Sequence, residues 1–307
     1  MTAEPIDIYY SFSGHETFPL RYAWLPKAVQ KLKDYPDLFL RDDALVVLGV
    51  GKNMVHAIRH WSQAFGMIDI ERGGRDQISP LGTKLLTPEG WDPYLEDPGT
   101  LWLLHWQLAS RPVKASTWHL AFTRWRRESF TRAELVEWLL RITDNLPSVR
   151  ATRSSIKRDV DVFIRTYVPS TVTATRPLEE TFDSPLVELG LIKEIEKDTY
   201  GFVRGPKLML PDKIFVFALL DYWREAAPHQ QTLSFEVVLH GKGSPGAAFK
   251  LSENALVERL ERLPPWTGIR FDDTAGMRQL LKQPSVTTLP LDALERYYVP
   301  EKRGNVQ

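Results

Sequence analysis

The chain contains no cysteine, which excludes disulfides, thiolate nucleophiles, Cys-ligated zinc and iron–sulfur clusters together and fits a reducing compartment. Any metal must then be held by His, Asp, Glu or carbonyl oxygens. The chain also lacks a run of about eighteen apolar residues, and Met1 to Ile8 has neither the basic start nor the apolar stretch of a secretory signal. The expectation is a soluble, cytoplasmic protein with no membrane partner. Net charge is missing as well. Lys and Arg number 39, and so do Asp and Glu, so the molecule as a whole exerts no long-range pull on nucleic acid, and any nucleic-acid surface has to be local. The glycine-rich turn Gly241-Lys242-Gly243-Ser244-Pro245-Gly246 lacks the Gly-Lys-Ser/Thr ending of a phosphate-binding loop, which removes an ATPase reading. Missing too are the carboxylate, carboxylate-x-lysine core of common restriction nucleases, a nucleophile elbow and a dinucleotide fingerprint.

What is present is a core. Of 307 residues, 43% are hydrophobic and 25% charged, values of ordinary globular proteins, and the length suits two or three domains. From Lys52 to Phe65, the residues Met54, Val55, Ile58, Trp61 and Phe65 recur on one face of a predicted helix, with Lys52, Asn53, His56, Arg59, His60 and Gln63 on the other. The apolar run Ala44 to Leu48 and the turn Gly49-Val50-Gly51 precede it. A hairpin follows, Met67 to Ile70 and Gln77-Ile78 about Gly73-Gly74, and then Ser79-Pro80 as the cap and first position of another helix. Helix, turn, amphipathic helix and two-stranded wing is winged-helix order.

A second stretch repeats this plan. Thr131 and Glu134 form a predicted capping box before Leu135, Trp138 and Leu139. A helix beginning near Ser154 places Ile156, Val160, Phe163 and Tyr167 on one face and Lys157, Arg158, Asp161 and Arg165 opposite, with Asp159 and Asp161 diluting the basic patch. Leu191-Ile192 and Asp198 to Val203 give a second wing, after an exposed loop expected from Pro169 to Pro185. Between the two units, Trp102, Trp106, Trp118, Phe122 and Trp125 stand at near-helical spacing, as a helical core or an aromatic binding platform. Helices are predicted at Asp212 to Glu225 and Ser252 to Leu263. The expected architecture is mainly α, of α+β type: an N-terminal motif and first winged-helix domain (1–90), a helical connector (91–128), a second winged-helix-like domain (129–210) and a helical C-terminal region (211–307).

Three groups of residues could carry chemistry. Lys52, Asn53, His56, Arg59, His60 and Gln63, with Lys157, Arg158 and Arg165, are side-chain types that contact phosphates and base edges of double-stranded DNA, and Gly51 would set the first of them at a helix N-terminus. The bland alternative is a solvated polar face. His56 and His60, one turn apart, are either a metal-binding pair without the intervening Glu of metalloproteases or a pair of neutral donors. Between Phe12 and Lys27, His15 would serve as general acid or base, Glu16 as a metal ligand and Arg21 as a phosphate clamp; otherwise the polar residues of this strand and turn hydrogen-bond the backbone. The carboxylate pairs Asp42-Asp43 and Asp272-Asp273 are read as acid–base candidates or as helix caps.

Gly14-His15-Glu16-Thr17-Phe18-Pro19-Leu20-Arg21-Tyr22-Ala23-Trp24-Leu25, together with Leu48-Gly49-Val50-Gly51-Lys52-Asn53-Met54-Val55, resembles the bacterial family known as DUF4007. The likeness runs on through Ser79-Pro80-Leu81-Gly82 to Thr274-Ala275-Gly276-Met277-Arg278-Gln279. One branch of that family resembles the SspB component of single-strand DNA phosphorothioation systems, to which DNA nicking is attributed. The resemblance implies a place in a bacterial DNA-sulfur modification and defence pathway. It also implies cysteine desulfurase, sulfurtransferase-like and ATPase partners, and Mg²⁺ (or Mn²⁺) if the chain nicks. The readings that stand side by side are a metal-dependent nickase, a non-catalytic DNA-recognition adaptor and a transcription regulator acting as a homodimer.

Overall fold

Helices of 4 to 15 residues and short antiparallel strands alternate along the chain in a computed structural model, which describes residues 10–299 apart from 72, 145, 147–150, 170–183, 275, 284–285 and 287. The expected loop between Pro169 and Pro185 falls almost wholly outside the described residues. Among those described, no helix is long and apolar enough to cross a membrane.

The first unit runs α1 (Trp24–Asp34), α2 (Ala44–Leu48), α3 (Lys52–Ala64), β1 (Ile68–Ile70), β2 (Asp76–Ile78) and α4 (Pro80–Leu86). Gly49 ends α2 with φ +61°, a left-handed conformation that costs glycine nothing. Gly51 re-enters extended and opens α3. Strands β1 and β2 pair Ile68 with Ile78 and Ile70 with Asp76. The Ser79 hydroxyl then accepts from the Gly82 amide at 2.8 Å, the cap expected of Ser-Pro.

The second unit is preceded by α5 (Pro98–Ser110) and α6 (Ser116–Thr123) and consists of β3 (Ser129–Thr131), α7 (Arg132–Asp144), α8 (Arg153–Tyr167), β4 (Ile192–Glu196) and β5 (Thr199–Phe202), the strands ordered β3-β5-β4. Glu134 accepts from the Thr131 amide at 2.9 Å and donates its own amide to the Thr131 hydroxyl at 3.2 Å, closing the capping box. Ile156, Val160, Phe163 and Tyr167 are fully buried. Helix α5 is buried on every side, its polar residues Thr100, His105 and Gln107 included, as befits a central helix. Its Trp102 and Trp106, with Trp118 and Phe122 of α6, lie in the core, and Trp125 sits at its edge.

The last third departs from the helical region expected. After α9 (Asp212–Ala226) come β6 (Thr232–Ser234), α10 (Phe235–His240), α11 (Pro245–Ala248), α12 (Glu253–Glu261), β7 (Ile269–Thr274) and β8 (Met277–Lys282), ordered β6-β8-β7. This is the strand order of the second unit again. Asp272 and Asp273 cap no helix; they lie in β7, where Asp273 pairs across the ladder with Arg278 at 3.2 Å. The alternation that makes the strand, Ile269 and Phe271 inward and Arg270 outward, is short and interrupted by charge, so periodicity alone does not expose it. Helix α13 (Pro290–Tyr298) packs on α9 and reaches the segment just before α5: Tyr298 stacks on Trp91 at 5.0 Å and Tyr297 donates to Asp97 at 2.6 Å.

Candidate nucleic-acid interface

Helix α3 presents two faces. Val55, Ile58 and Trp61 are buried, whereas Lys52, Asn53 and His56 are exposed on its first turns, at the positive end of the helix dipole with no acid nearby in the first turn. Arg59 and Gln63, farther along the same helix, are engaged elsewhere. Gln63 Nε2 donates to Asp76 Oδ1 at 2.7 Å, and Arg59 Nε lies 2.8 Å from the other oxygen of this buried carboxylate. A buried carboxylate needs such partners. The three side chains therefore lock α3 to the β1–β2 hairpin, and the polar face that sequence spacing treats as continuous divides into an outer, open part and an inner clamp.

His60 turns away from His56. It is half-buried with its Nε2 fully enclosed, edge-on to Trp61 and to His15 at centroid distances of 5.2 and 5.9 Å. Burial first, and then the neighbouring His15, push its pKa down to about 3. His56 is exposed, so the i, i+4 pair does not converge on one site.

His15 is itself buried. Its Nε2 is 2.7 Å from Asp159 Oδ1, and the Thr17 amide donates to its Nδ1 at 3.2 Å, which places the ring proton on Nε2. The Ser13 amide donates to the same Asp159 oxygen at 2.8 Å, Trp61 Nε1 to the Phe18 carbonyl at 3.0 Å, and Arg165 to the Thr17 carbonyl at 2.5 Å. Ser13, Glu16 and Thr17 all have positive φ, of 67°, 49° and 67°. Non-glycine residues hold that conformation only where the surroundings over-determine it, and here two helices do so. Segment 13–18 is thus a clasp joining α3, through Trp61 and His60, to α8, through Asp159 and Arg165. Glu16 is exposed, and the Arg21 guanidinium lies over the Phe18 and Trp24 rings at 5.9 and 5.4 Å. His15 faces inward and Glu16 outward, so these residues do not assemble around one reacting position.

On α8, Lys157 and Arg158 are exposed, while the two acids that dilute the patch in sequence point to other partners: Asp159 to His15, and Asp161 to Arg132 at 2.8 Å. Arg132 also holds Asp198 at 2.8 Å and the Tyr200 hydroxyl at 2.7 Å, tying α7 and α8 to the wing. Sequence reasoning missed Asp76, Arg132 and the role of Asp159, because their partners are 13 to 146 residues away. Among the described residues no three His, Asp or Glu side chains come together as metal ligands. A side-chain cage for Mg²⁺ is therefore absent among the described residues; an ion held by one or two carboxylates and water would need no such cluster.

The model of the family described as "Protein of unknown function (DUF4007)" matches residues 12–298. Two solved structures, "SspB crystal structure" and "Magnesium ion-bound SspB crystal structure", are each 32% identical to this chain, with a TM-score of 0.83, covering 95% of this chain and 89% of that one. Among curated proteins none matches. A family match spanning nearly all of the described fold, supported by two structures above 30% identity, places this chain in the DUF4007 family.

Proposed function

We propose that this protein is a DNA-binding component of a bacterial single-strand DNA phosphorothioation system, working beside cysteine desulfurase, sulfurtransferase-like and ATPase partners. Its units 1–90 and 129–210 act as winged helices, with 91–128 as their connector and 211–307 as a third part. The pathway is inferred from the likeness to SspB over 95% of the chain. The observation that carries DNA binding is the sorting of charge on α3 and α8. Lys52, Asn53 and His56, and likewise Lys157 and Arg158, remain exposed, while the acids of the second helix are taken up by other partners, Asp159 buried against His15 and the partly exposed Asp161 paired with Arg132. The clasp at 13–18 then sets the two helices relative to each other, a positioning role for His15. Local cations on a neutral molecule imply modest affinity and few phosphate contacts.

The test is binding of a labelled 30-base-pair duplex at several salt concentrations. Lys52→Ala should weaken binding about tenfold and lower the salt slope by about one ion; an unchanged slope refutes the assignment. The magnesium-bound neighbour favours a second reading, nicking of one strand. Conversion of supercoiled plasmid to open circles that needs Mg²⁺, stops with EDTA and is lost in Glu16→Gln supports it, and clean protein that shifts DNA without cutting it refutes it.

A further inference from the structure

Outside the faces just described, the turn between α6 and β3 and the outer side of α7 enclose a cleft of about 390 Å³. Four arginines line it, Arg124, Arg126, Arg127 and Arg141, against two glutamates, Glu134 and Glu137, with Trp125 and Trp138 as its aromatic wall. Both glutamates are already neutralised. Glu134 pairs with Arg127 at 2.8 Å and caps α7 through Thr131, and Glu137 pairs with Arg153, which reaches in from the first position of α8. Arg124 and Arg126 are exposed and make no ion pair among the described residues. On a chain with no net charge, Arg124 and Arg126 are thus a local excess of cation.

The aromatic wall is built, not incidental. Trp125 Nε1 donates to the Ser129 carbonyl at 3.2 Å, which holds the indole upright, and Trp138 meets it edge to face at 5.2 Å and 89°. Trp138 is only half-buried, so part of a large, rigid π surface opens into a site rimmed by guanidinium groups. An anion alone would need the arginines and not the indole. A ligand that carries both a phosphate and a flat ring uses both.

We propose that this cleft takes one unpaired nucleotide of a single DNA strand, its base against Trp138 and its phosphate on Arg124 and Arg126. The volume falls within the range of small-ligand clefts, and placement agrees. Arg153 at the cleft's edge begins the helix whose Lys157 and Arg158 are assigned to duplex DNA, about 6 to 8 Å farther along at the α-helical rise. A nucleotide drawn out of the duplex on α8 would reach the cleft without crossing the molecule. The inference deepens the DNA-binding reading and rests on it.

Full-length protein is titrated against a fluorescein-labelled single strand of eight thymidylates, against the same strand with abasic sugars, and against a blunt 30-base-pair duplex, with fluorescence anisotropy as the readout. Trp138→Leu should weaken the thymidylate strand about tenfold, the lower part of the range for base–aromatic stacking, and leave duplex binding within twofold. Trp138→Tyr should recover most of the loss. Arg124→Gln with Arg126→Gln should weaken both single strands about equally, and this pair of surface changes keeps the test open should Trp138→Leu disturb packing. Equal binding of abasic and thymidylate strands, or no effect of either set of variants, overturns the proposal, as does displacement of the probe by a polyglutamate peptide as readily as by unlabelled thymidylates. Loss of duplex binding in Lys52→Ala with Trp138-dependent strand binding retained leaves the cleft standing. If the thymidylate strand depends on Trp138 while wild-type protein never binds duplex, the duplex reading falls and the cleft does not; if neither DNA binds, both fall.

Discussion

Lowering the pH from 7.5 to 5.5 should cost this protein about 4 kcal/mol of stability, because three histidines are enclosed as neutral bases. His105, at the centre of α5, is fully buried; its Nε2 donates to the Ala248 carbonyl at 2.9 Å and its Nδ1 accepts from the Tyr167 hydroxyl at 2.8 Å. Burial pushes its pKa down to about 3. His60 is pushed to about 3 by burial and then by His15, and His119 to about 4 by burial, against the hydrogen bond its Nδ1 makes with the Ala109 carbonyl. In the unfolded chain each titrates near 6.5. The folded values are the lower ones, so below pH 6.5 the unfolded chain binds more protons. The stability is whole above that pH and is lost as pH falls toward 3 to 4. At pH 5.5 each group contributes a loss of roughly 1.4 kcal/mol, and the three together approach the lower end of the 5–15 kcal/mol that holds an ordinary domain. Urea unfolding followed by tryptophan fluorescence at the two pH values measures it, in a window above the usual carboxylate titrations. His105→Gln should lower stability at pH 7.5 yet shrink the pH-dependent loss by about a third. Equal stability within about 1 kcal/mol at pH 7.5 and 5.5 would refute the reasoning.

Gly14→Ala would bring a Cβ within 2.3 Å of His60 Nδ1, so it should destabilise by about 1–3 kcal/mol and loosen the clasp, read as faster amide exchange in segment 13–18; an unchanged melting temperature goes against the close packing of that turn. Asp159→Asn leaves His15 without a carboxylate partner and should lower stability by about 2 kcal/mol, checked by urea unfolding at pH 7.5, with an unaltered midpoint as the contrary result. Asp76→Ala removes the shared partner of Arg59 and Gln63 and should cost about 2–3 kcal/mol, with the β1–β2 hairpin exchanging faster than the middle of α3; uniform exchange would mean that the clamp does not hold the hairpin.

Helix α3, the hairpin about Gly73-Gly74, the Ser79-Pro80 cap, the Thr131–Glu134 capping box and the buried stripe of α8 follow from interactions within a few residues of each other. Apolar period, turn chemistry and capping are local, so the amino-acid order carries them. So does the family likeness of the Gly14 to Leu25 segment. The third sheet is another matter: β6 is three residues long and pairs Leu233 with Leu280, and no spacing announces a partner that far along the chain. The same holds for function. Of nine side chains that look alike on two polar faces, packing leaves Lys52, Asn53, His56, Lys157 and Arg158 exposed and commits Arg59 and Gln63 to Asp76, encloses His60 against His15, and ties Arg165 to Thr17. Sequence determines which residues can donate, accept or bury. Which of them are left open to a partner depends on contacts between residues up to 148 positions apart, and only the folded chain makes those.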